Sequence, residues 1–209
     1  VSSLHLVRRP LSAGEVALKR AFDVIVAGAA VLLLSPLFAL VALAIRLDSP
    51  GPVFFLQRRY GFNQEPFRIF KFRSMRTMDD GRHVPQAQAG DPRVTRVGRL
   101  LRRTNIDELP QLFNVLSGEM SLVGPRPHAL AHDQMYEQAI AFYARRHNVK
   151  PGITGWAQVN GLRGDTAGEG KMRKRVEHDL WYIDNWSPLL DLRILWLTIF
   201  SKKAYRNAV

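Results

Sequence analysis

The alternation of apolar and polar positions divides the 209-residue chain into segments of different period. The longest apolar stretch, 24–45 (VIVAGAAVLLLSPLFALVALAI), runs for 22 residues without a charge. As a straight helix it would measure about 33 Å, enough for a hydrocarbon core of about 30 Å. Ser35-Pro36 stands at its midpoint, where proline removes a backbone donor and the serine hydroxyl can bond back to a freed carbonyl. Lys19 and Arg20 precede the run and Arg46 follows it, so a positive-inside bias would hold both ends on one side. Pattern alone leaves a kinked re-entrant hairpin and a spanning helix equally open, since spanning helices tolerate a proline kink. Residues 4–22, mixed and basic, read as an interfacial approach to the membrane.

Beyond the turn cluster Asp48-Ser49-Pro50-Gly51-Pro52 the period shortens. Residues 53–56 form a short strand, and 67–75 (FRIFKFRSM) alternate as a second, with Lys71 and Arg73 on one face. Two cations at that spacing could hold a diphosphate; a solvated strand face explains them as well. Residues 79–91 are polar and rich in breakers, a mobile loop near the site. Asp91-Pro92 opens a helix with Arg96, Arg99 and Arg103 on one stripe and Arg102 alongside. Residues 128–148 read as one long amphipathic helix. Residues 150–161 read as turn, short strand and turn, 164–171 as a Gly-rich loop without Walker spacing, and the end as two helices, the last over 189–200.

Between these lies 105–127, NIDELPQLFNVLSGEMSLVGPRP. Helical spacing puts Ile106, Leu109, Leu112, Phe113 and Leu116 on one side, and Asp107, Glu108, Gln111 and Asn114 on the other. Thr104 or Asn105 can cap the start and Ser117-Gly118 the end. Two adjacent carboxylates then sit in the first turn, followed by Arg126 between two prolines. This is a pattern for carboxylate chemistry beside a phosphate, or, more plainly, for dipole compensation and a surface turn.

Charge sharpens the choice. The net charge is +12 and the pI about 10.7, which calls for an anionic partner: nucleic acid, an anionic bilayer or a phosphorylated substrate. Residues 58–103 carry twelve Lys/Arg against four Asp/Glu, +8 of that total. Such a cluster beside a membrane segment attracts anionic phospholipid. With no cysteine, disulfide scaffolds, thiolate zinc sites and cysteine nucleophiles are excluded. The start at Val1, without a cleavable signal pattern, reads as a piece of a longer protein.

Taken together, KRAFD, the Ser-Pro hydrophobic segment, DSPGPVFF, QRRYG, FRIFKFRSM, DPRVTRVGRLLRRTNIDELPQLFNVLSGEMSLVGPRP and KPGITGWAQVNG resemble the bacterial sugar transferase family over residues 18–200. These are the monotopic polyprenyl-phosphate phosphoglycosyl transferases. The resemblance implies an α+β fold: a membrane-embedded re-entrant helix-break-helix plus a compact helical cytosolic domain with a small β-sheet and interfacial amphipathic helices. The implied division is an interfacial segment (1–22), a re-entrant membrane helix (23–46) broken at Ser35 and Pro36, a catalytic domain (47–201) and a tail (202–209). The implied reaction moves a sugar-1-phosphate from a UDP-sugar to undecaprenyl phosphate, releasing UMP, on the cytoplasmic face of the bacterial inner membrane. By the same resemblance Asp107 is the nucleophile of a ping-pong route, Glu108 a ligand of Mg²⁺, and Arg126 a phosphate binder, with Lys71, Arg73 and Arg103 as further contributors. Many relatives carry a second glycine near Gln64, so the local loop shape here is open.

Two other classes compete. A membrane-anchored basic scaffold or lipid-binding protein without chemistry would share the charge and the apolar run. A nucleic-acid binder is disfavoured by that run and by the absence of a binding-motif spacing, so no nucleic acid is expected. The sugar is not legible in the chain, and a homodimer is left open.

Overall fold

The computed structural model describes residues 11–76, 91–162, 164 and 169–201. The N-terminal approach before residue 11, most of the loop 79–91, residues 165–168 of the Gly-rich loop and the tail 202–209 lie outside the described residues.

Helix α1 runs from Ala13 to Asp48, 36 residues opened by a capping box between Ser12 and Glu15. The break expected at Ser35-Pro36 does not divide it: helical structure continues through Pro36. Proline withdraws the N–H that would meet Leu32 O, and Ser35 Oγ donates to that same carbonyl at 2.8 Å. The lost bond is thus replaced locally. One stripe of α1 packs on the rest of the protein along its whole length, through Asp23, Ala27, Leu34, Phe38, Val41 and Ile45. The opposite stripe is bare, with Ile25, Leu32, Leu33, Leu40, Leu43 and Leu47 each more than half exposed.

Polar contacts fasten both ends of α1. Lys19 Nζ lies 2.5 Å from Asp191 Oδ2, Arg20 donates to the carbonyls of Val115 and Leu116, and Asp23 Oδ1 accepts from Leu122 N–H at 3.1 Å. At the other end Asp48 Oδ2 accepts from Val97 N–H at 3.1 Å, at the start of helix α2 (Arg96–Thr104). Here Arg73 departs from the sequence reading. Its guanidinium donates to Ser49 O at 2.7 Å and Pro50 O at 2.5 Å, closing the end of α1 and not facing a diphosphate. The strand ends at Phe72, so the alternation that put Arg73 beside Lys71 stops one residue short of it.

Strands β1 (Phe54–Tyr60) and β2 (Pro66–Phe72) form an antiparallel hairpin, with Leu56 opposite Phe70. Its connection keeps a tight shape without a second glycine: Asn63 and Gln64 both take left-handed backbone, at φ 53° and 60°. The free edge of β2 is covered by helix α3 (Gln111–Ser117) in an unusual way. Asn114 imitates a neighbouring strand, accepting Phe70 N–H at 2.9 Å and donating to Arg68 O at 2.8 Å. A third Asn114 bond reaches Glu119 Oε2 at 2.8 Å, and the residue is fully buried.

Strands β3 (Ser121–Val123) and β4 (Gly152–Thr154) pair in parallel. Their continuations approach so closely that a Cβ on Gly152 would fall 2.0 Å from Gly124 N, which explains glycine at both positions. The long helix expected over 128–148 is two elements. Helix α4 (Leu130–Ala139) ends, Phe142 takes left-handed backbone at φ 61°, and a 3₁₀ segment Tyr143–Asn148 follows. Arg146 and His147 in that segment are both buried. A short helix α5 (Trp156–Val159) stands where a turn was expected after β4; α6 (Glu169–Asp184) and α7 (Pro188–Phe200) complete the fold. Leu189, Leu192, Trp196, Ile199 and Phe200 give α7 an exposed apolar face.

Asn114→Ala removes the edge partner of β2 and strands a buried N–H and C=O. A loss of roughly 2–4 kcal/mol is expected, read as a lowered midpoint in thermal or denaturant unfolding.

Candidate active site

The dyad does not sit in the first turn of an α-helix. Helix α2 continues to Thr104, whose hydroxyl bonds back to Leu100 O at 2.8 Å, and Asn105 ends it in left-handed backbone at φ 58°. Asp107 and Glu108 then occupy a single 3₁₀ turn, Ile106–Glu108, before Pro110 starts α3. Asn105 stands at the N-cap position of that turn but makes no side-chain cap bond, and Thr104 belongs to α2. The polar side of the segment also faces inward: Glu108, Gln111 and Asn114 are all buried. Sequence pattern assigns polar residues to solvent, but here the polar side meets the edge of β2 and a set of cations.

Glu108 is the meeting point. Lys71 Nζ, from β2, lies 3.0 Å from Oε1. Arg126, from the loop after β3, grips both oxygens, Nη1 to Oε2 at 2.9 Å and Nη2 to Oε1 at 2.5 Å. A bidentate guanidinium pair of this kind is both strong and directional. Burial pulls the Lys71 ammonium below its ordinary pKa, with Glu108 opposing. For Arg126 burial also works against the charge, yet Glu108 and Asp107 outweigh it and raise the value.

Asp107 differs from its neighbour. Among the described residues its half-buried carboxylate has no hydrogen-bond or ion-pair partner. Burial first, then the charge of Glu108, pushes its pKa up to about 6, while Lys71, Arg102 and Arg126 pull the other way. The site therefore sets an uncommitted carboxylate among cations. This arrangement can present an oxygen nucleophile to a phosphorus whose own oxygens are neutralised by Lys71 and Arg126.

Of the residues singled out in the sequence, Asp107, Glu108, Lys71 and Arg126 come together. Arg73 does not, as described above. Arg103 is exposed at the end of α2, in line with exposed Arg96 and Arg99. Its neighbour Arg102 is the α2 cation whose charge bears on Asp107. The burial of Leu101, with Leu100 exposed beside it, fixes the rotation of α2 and so separates the two arginines, which two adjacent leucines in the sequence could not do. Arg59 and Arg146 were also missed: they donate to the carbonyls of Pro127 and Arg126, each at 2.8 Å.

Metal donors can be tested against this donor set. Among the described residues no group of three or more His, Cys, Asp or Glu side chains could hold a metal ion. Adjacent carboxylates can still supply one or two hard oxygens. That suits an ion such as Mg²⁺, which commonly takes one or two carboxylates and completes its shell with substrate phosphates and water.

The chain is similar to known proteins over most of its length. The sequence pattern described as Bacterial sugar transferase matches residues 14–203. The chain is 54% identical over 209 residues to the UDP-glucose:undecaprenyl-phosphate glucose-1-phosphate transferase of Escherichia coli (strain K12), covering 98% of this chain and 45% of that protein. It is 55% identical over 207 residues to the undecaprenyl-phosphate glucose phosphotransferase of Komagataeibacter xylinus, covering 97% of this chain and 39% of that protein. A third relative, the UDP-N-acetylgalactosamine-undecaprenyl-phosphate N-acetylgalactosaminephosphotransferase of Aeromonas hydrophila, is 48% identical over 182 residues, 87% of this chain and 43% of its own length. The chain thus spans less than half the length of these relatives. A match over nearly all of its residues, containing every component of the site, leaves one conclusion: the chain belongs to the bacterial sugar transferase family.

Proposed function

We propose that this chain transfers a sugar-1-phosphate from a UDP-sugar to undecaprenyl phosphate, releasing UMP, as the first membrane step of a bacterial polysaccharide pathway. The observation that carries the reading is the Asp107 carboxylate, without a hydrogen-bond or ion-pair partner among the described residues, beside a Glu108 engaged by Lys71 and Arg126. In the first step an Asp107 oxygen attacks the sugar-bearing phosphorus. The bond from that phosphorus to the bridging oxygen breaks, and UMP departs with the bridging oxygen. An oxygen of undecaprenyl phosphate then attacks the same phosphorus and returns Asp107 as a carboxylate. Lys71 and Arg126 neutralise the phosphoryl oxygens in both displacements. Relatives named for both glucose and N-acetylgalactosamine leave the sugar open, with UDP-glucose the first to try.

Mg²⁺ would be held by Glu108 with help from Asp107, and when bound it supplies charge neutralisation on the diphosphate. It would have to share Glu108 with two cations, so its shell must come largely from the substrate.

The membrane segment is read as re-entrant, on the cytoplasmic face of the inner membrane. What supports this is the packed stripe of α1, which rests on the domain from Lys19 to Asp48. Were α1 to cross the bilayer, it would carry buried charges such as Asp23 and Asp191 into hydrocarbon with it. Its bare apolar stripe and the apolar face of α7 would instead rest in one leaflet, and the exposed arginines of α2 would meet anionic headgroups.

Asp107→Asn is expected to lower UMP release from UDP-glucose with undecaprenyl phosphate on the order of a thousandfold or more. Without the lipid, the unsubstituted protein should release about one equivalent of UMP and gain the mass of a hexose phosphate on the peptide containing Asp107. A wild-type rate in the variant would remove Asp107 as nucleophile.

Chelation by EDTA should abolish UMP release and added Mg²⁺ restore it. Undiminished turnover in EDTA would exclude the metal.

Because the chain has no cysteine, Ala21→Cys and Pro52→Cys, the second exposed just beyond the end of α1, can be labelled cleanly. An impermeant maleimide should reach both in inverted membrane vesicles and neither in intact cells. Labelling from opposite sides would mean a spanning helix.

A further inference from the structure

The loop carrying Arg126 is held at four consecutive residues. Gly124 N–H donates to Thr154 O at 2.9 Å, and Pro125 O accepts from Gly152 N–H at 3.0 Å. Arg126 O then accepts from Arg146 Nη2, and Pro127 O from Arg59 Nη1, both at 2.8 Å. Backbone pairing stops where two guanidinium groups take over.

The chemistry of the loop shows why the third of these contacts matters most. Pro125 and Pro127 have their φ angles set by their rings, and a residue before proline is itself restricted. What places the Arg126 Cα–Cβ bond is then largely Arg126's own backbone torsion, while the four side-chain torsions beyond it are held by the pair with Glu108. The Arg126 carbonyl reports that backbone torsion directly, and Arg146 grips that carbonyl.

Arg146 is well suited to the task because it is itself immobile. Its Nε donates to Asp179 Oδ2, on α6, at 2.8 Å, and both side chains are 2% exposed. The guanidinium lies over the Tyr143 ring, 4.9 Å from its centre. Burial works against its charge, but Tyr143, Asp179 and Asp133 outweigh it and raise its pKa, so the group stays charged. A planar fork can serve a carboxylate and a carbonyl at once in fixed directions; a lysine ammonium at the same place is a point charge on a flexible stem.

We infer that Arg146, held by Asp179, is a positioning residue: by fixing the Arg126 carbonyl it sets the direction in which the Arg126 guanidinium meets Glu108. It touches no substrate. The structural part of this inference is independent of the proposed activity, while its consequence for turnover rests on that reading.

The test is a cycle of Arg146→Lys and Glu108→Gln, alone and together, in the melting of the purified protein in detergent. If Arg146 acts through the Arg126–Glu108 pair, the two losses overlap, and the double variant melts above the additive value. The same samples are assayed for UMP release from UDP-glucose well below their melting points. There Arg146→Lys should lower kcat about tenfold or more in the native background and by less than about twofold in an Arg126→Lys background. Additive melting losses overturn the inference, whatever the activity. Overlapping losses with no UMP release from the unsubstituted protein keep the positioning role and count against the proposed function instead. Should Arg146→Lys fail to fold, Asp179→Asn takes its place in the cycle, since it leaves the guanidinium but removes its anchor, and the same two outcomes decide.

Discussion

A single buried carboxylate organises this protein. Glu108 draws together Lys71 from the β-hairpin and Arg126 from the loop after β3, and its own turn joins α2 to α3. Taking three charges out of water is costly, and the cost is offset only when each finds the others in good geometry. Leaving one of them unpaired in such a place costs roughly 3–5 kcal/mol. The three chain segments are therefore bound to one register. A consequence falls on the residue next door: Asp107 shares the burial and the repulsion of Glu108 but has no partner of its own among the described residues, which is what a reactive oxygen requires.

Much of the remaining structure keeps those segments in place. Asn114 ties α3 to the edge of β2 one residue from Lys71, through the backbone of Phe70. Asp48 joins the end of α1 to the start of α2, Arg73 joins it to the end of β2, and the approach of α2 is so close that a Cβ on Gly98 would fall 2.0 Å from Ser74 O. Arg59 and Arg146 hold the carbonyls around Arg126. Polar groups that a sequence reading assigns to solvent or substrate thus turn out to be spent on backbone. This is the ordinary fate of buried polar groups, which must be satisfied wherever they lie.

The apolar helix α1 is part of the same construction. It contributes Ala27 to the core shared with β2, α3 and β3, and Val41 and Ile45 to a second cluster with Phe72 and Leu101. Docked in this way, it sets the height of the site relative to whatever its bare stripe is buried in.

Local chemistry made much of this readable in the chain. The apolar run, the strands around Phe54 and Phe70, the helix after Thr95 and the last two helices follow from hydrophobic period, which depends on nearby residues only. Asp107, Glu108 and Arg126 stood out because their types and spacing are unusual. Tertiary packing decided the rest. Helical period could not show that Asn105 would end α2 and place the dyad on a 3₁₀ turn, nor that Phe142 would divide the segment after Arg126. Lys71 and Arg73 carry the same charge two residues apart, yet one meets Glu108 and the other the carbonyls of Ser49 and Pro50. Arg102 and Arg103 differ by one position, and the burial of Leu101 separates their fates. For Lys71 and Arg73 the role was set by which distant acceptor folding brought within about 3 Å, and no pattern of neighbours along the chain encodes that distance.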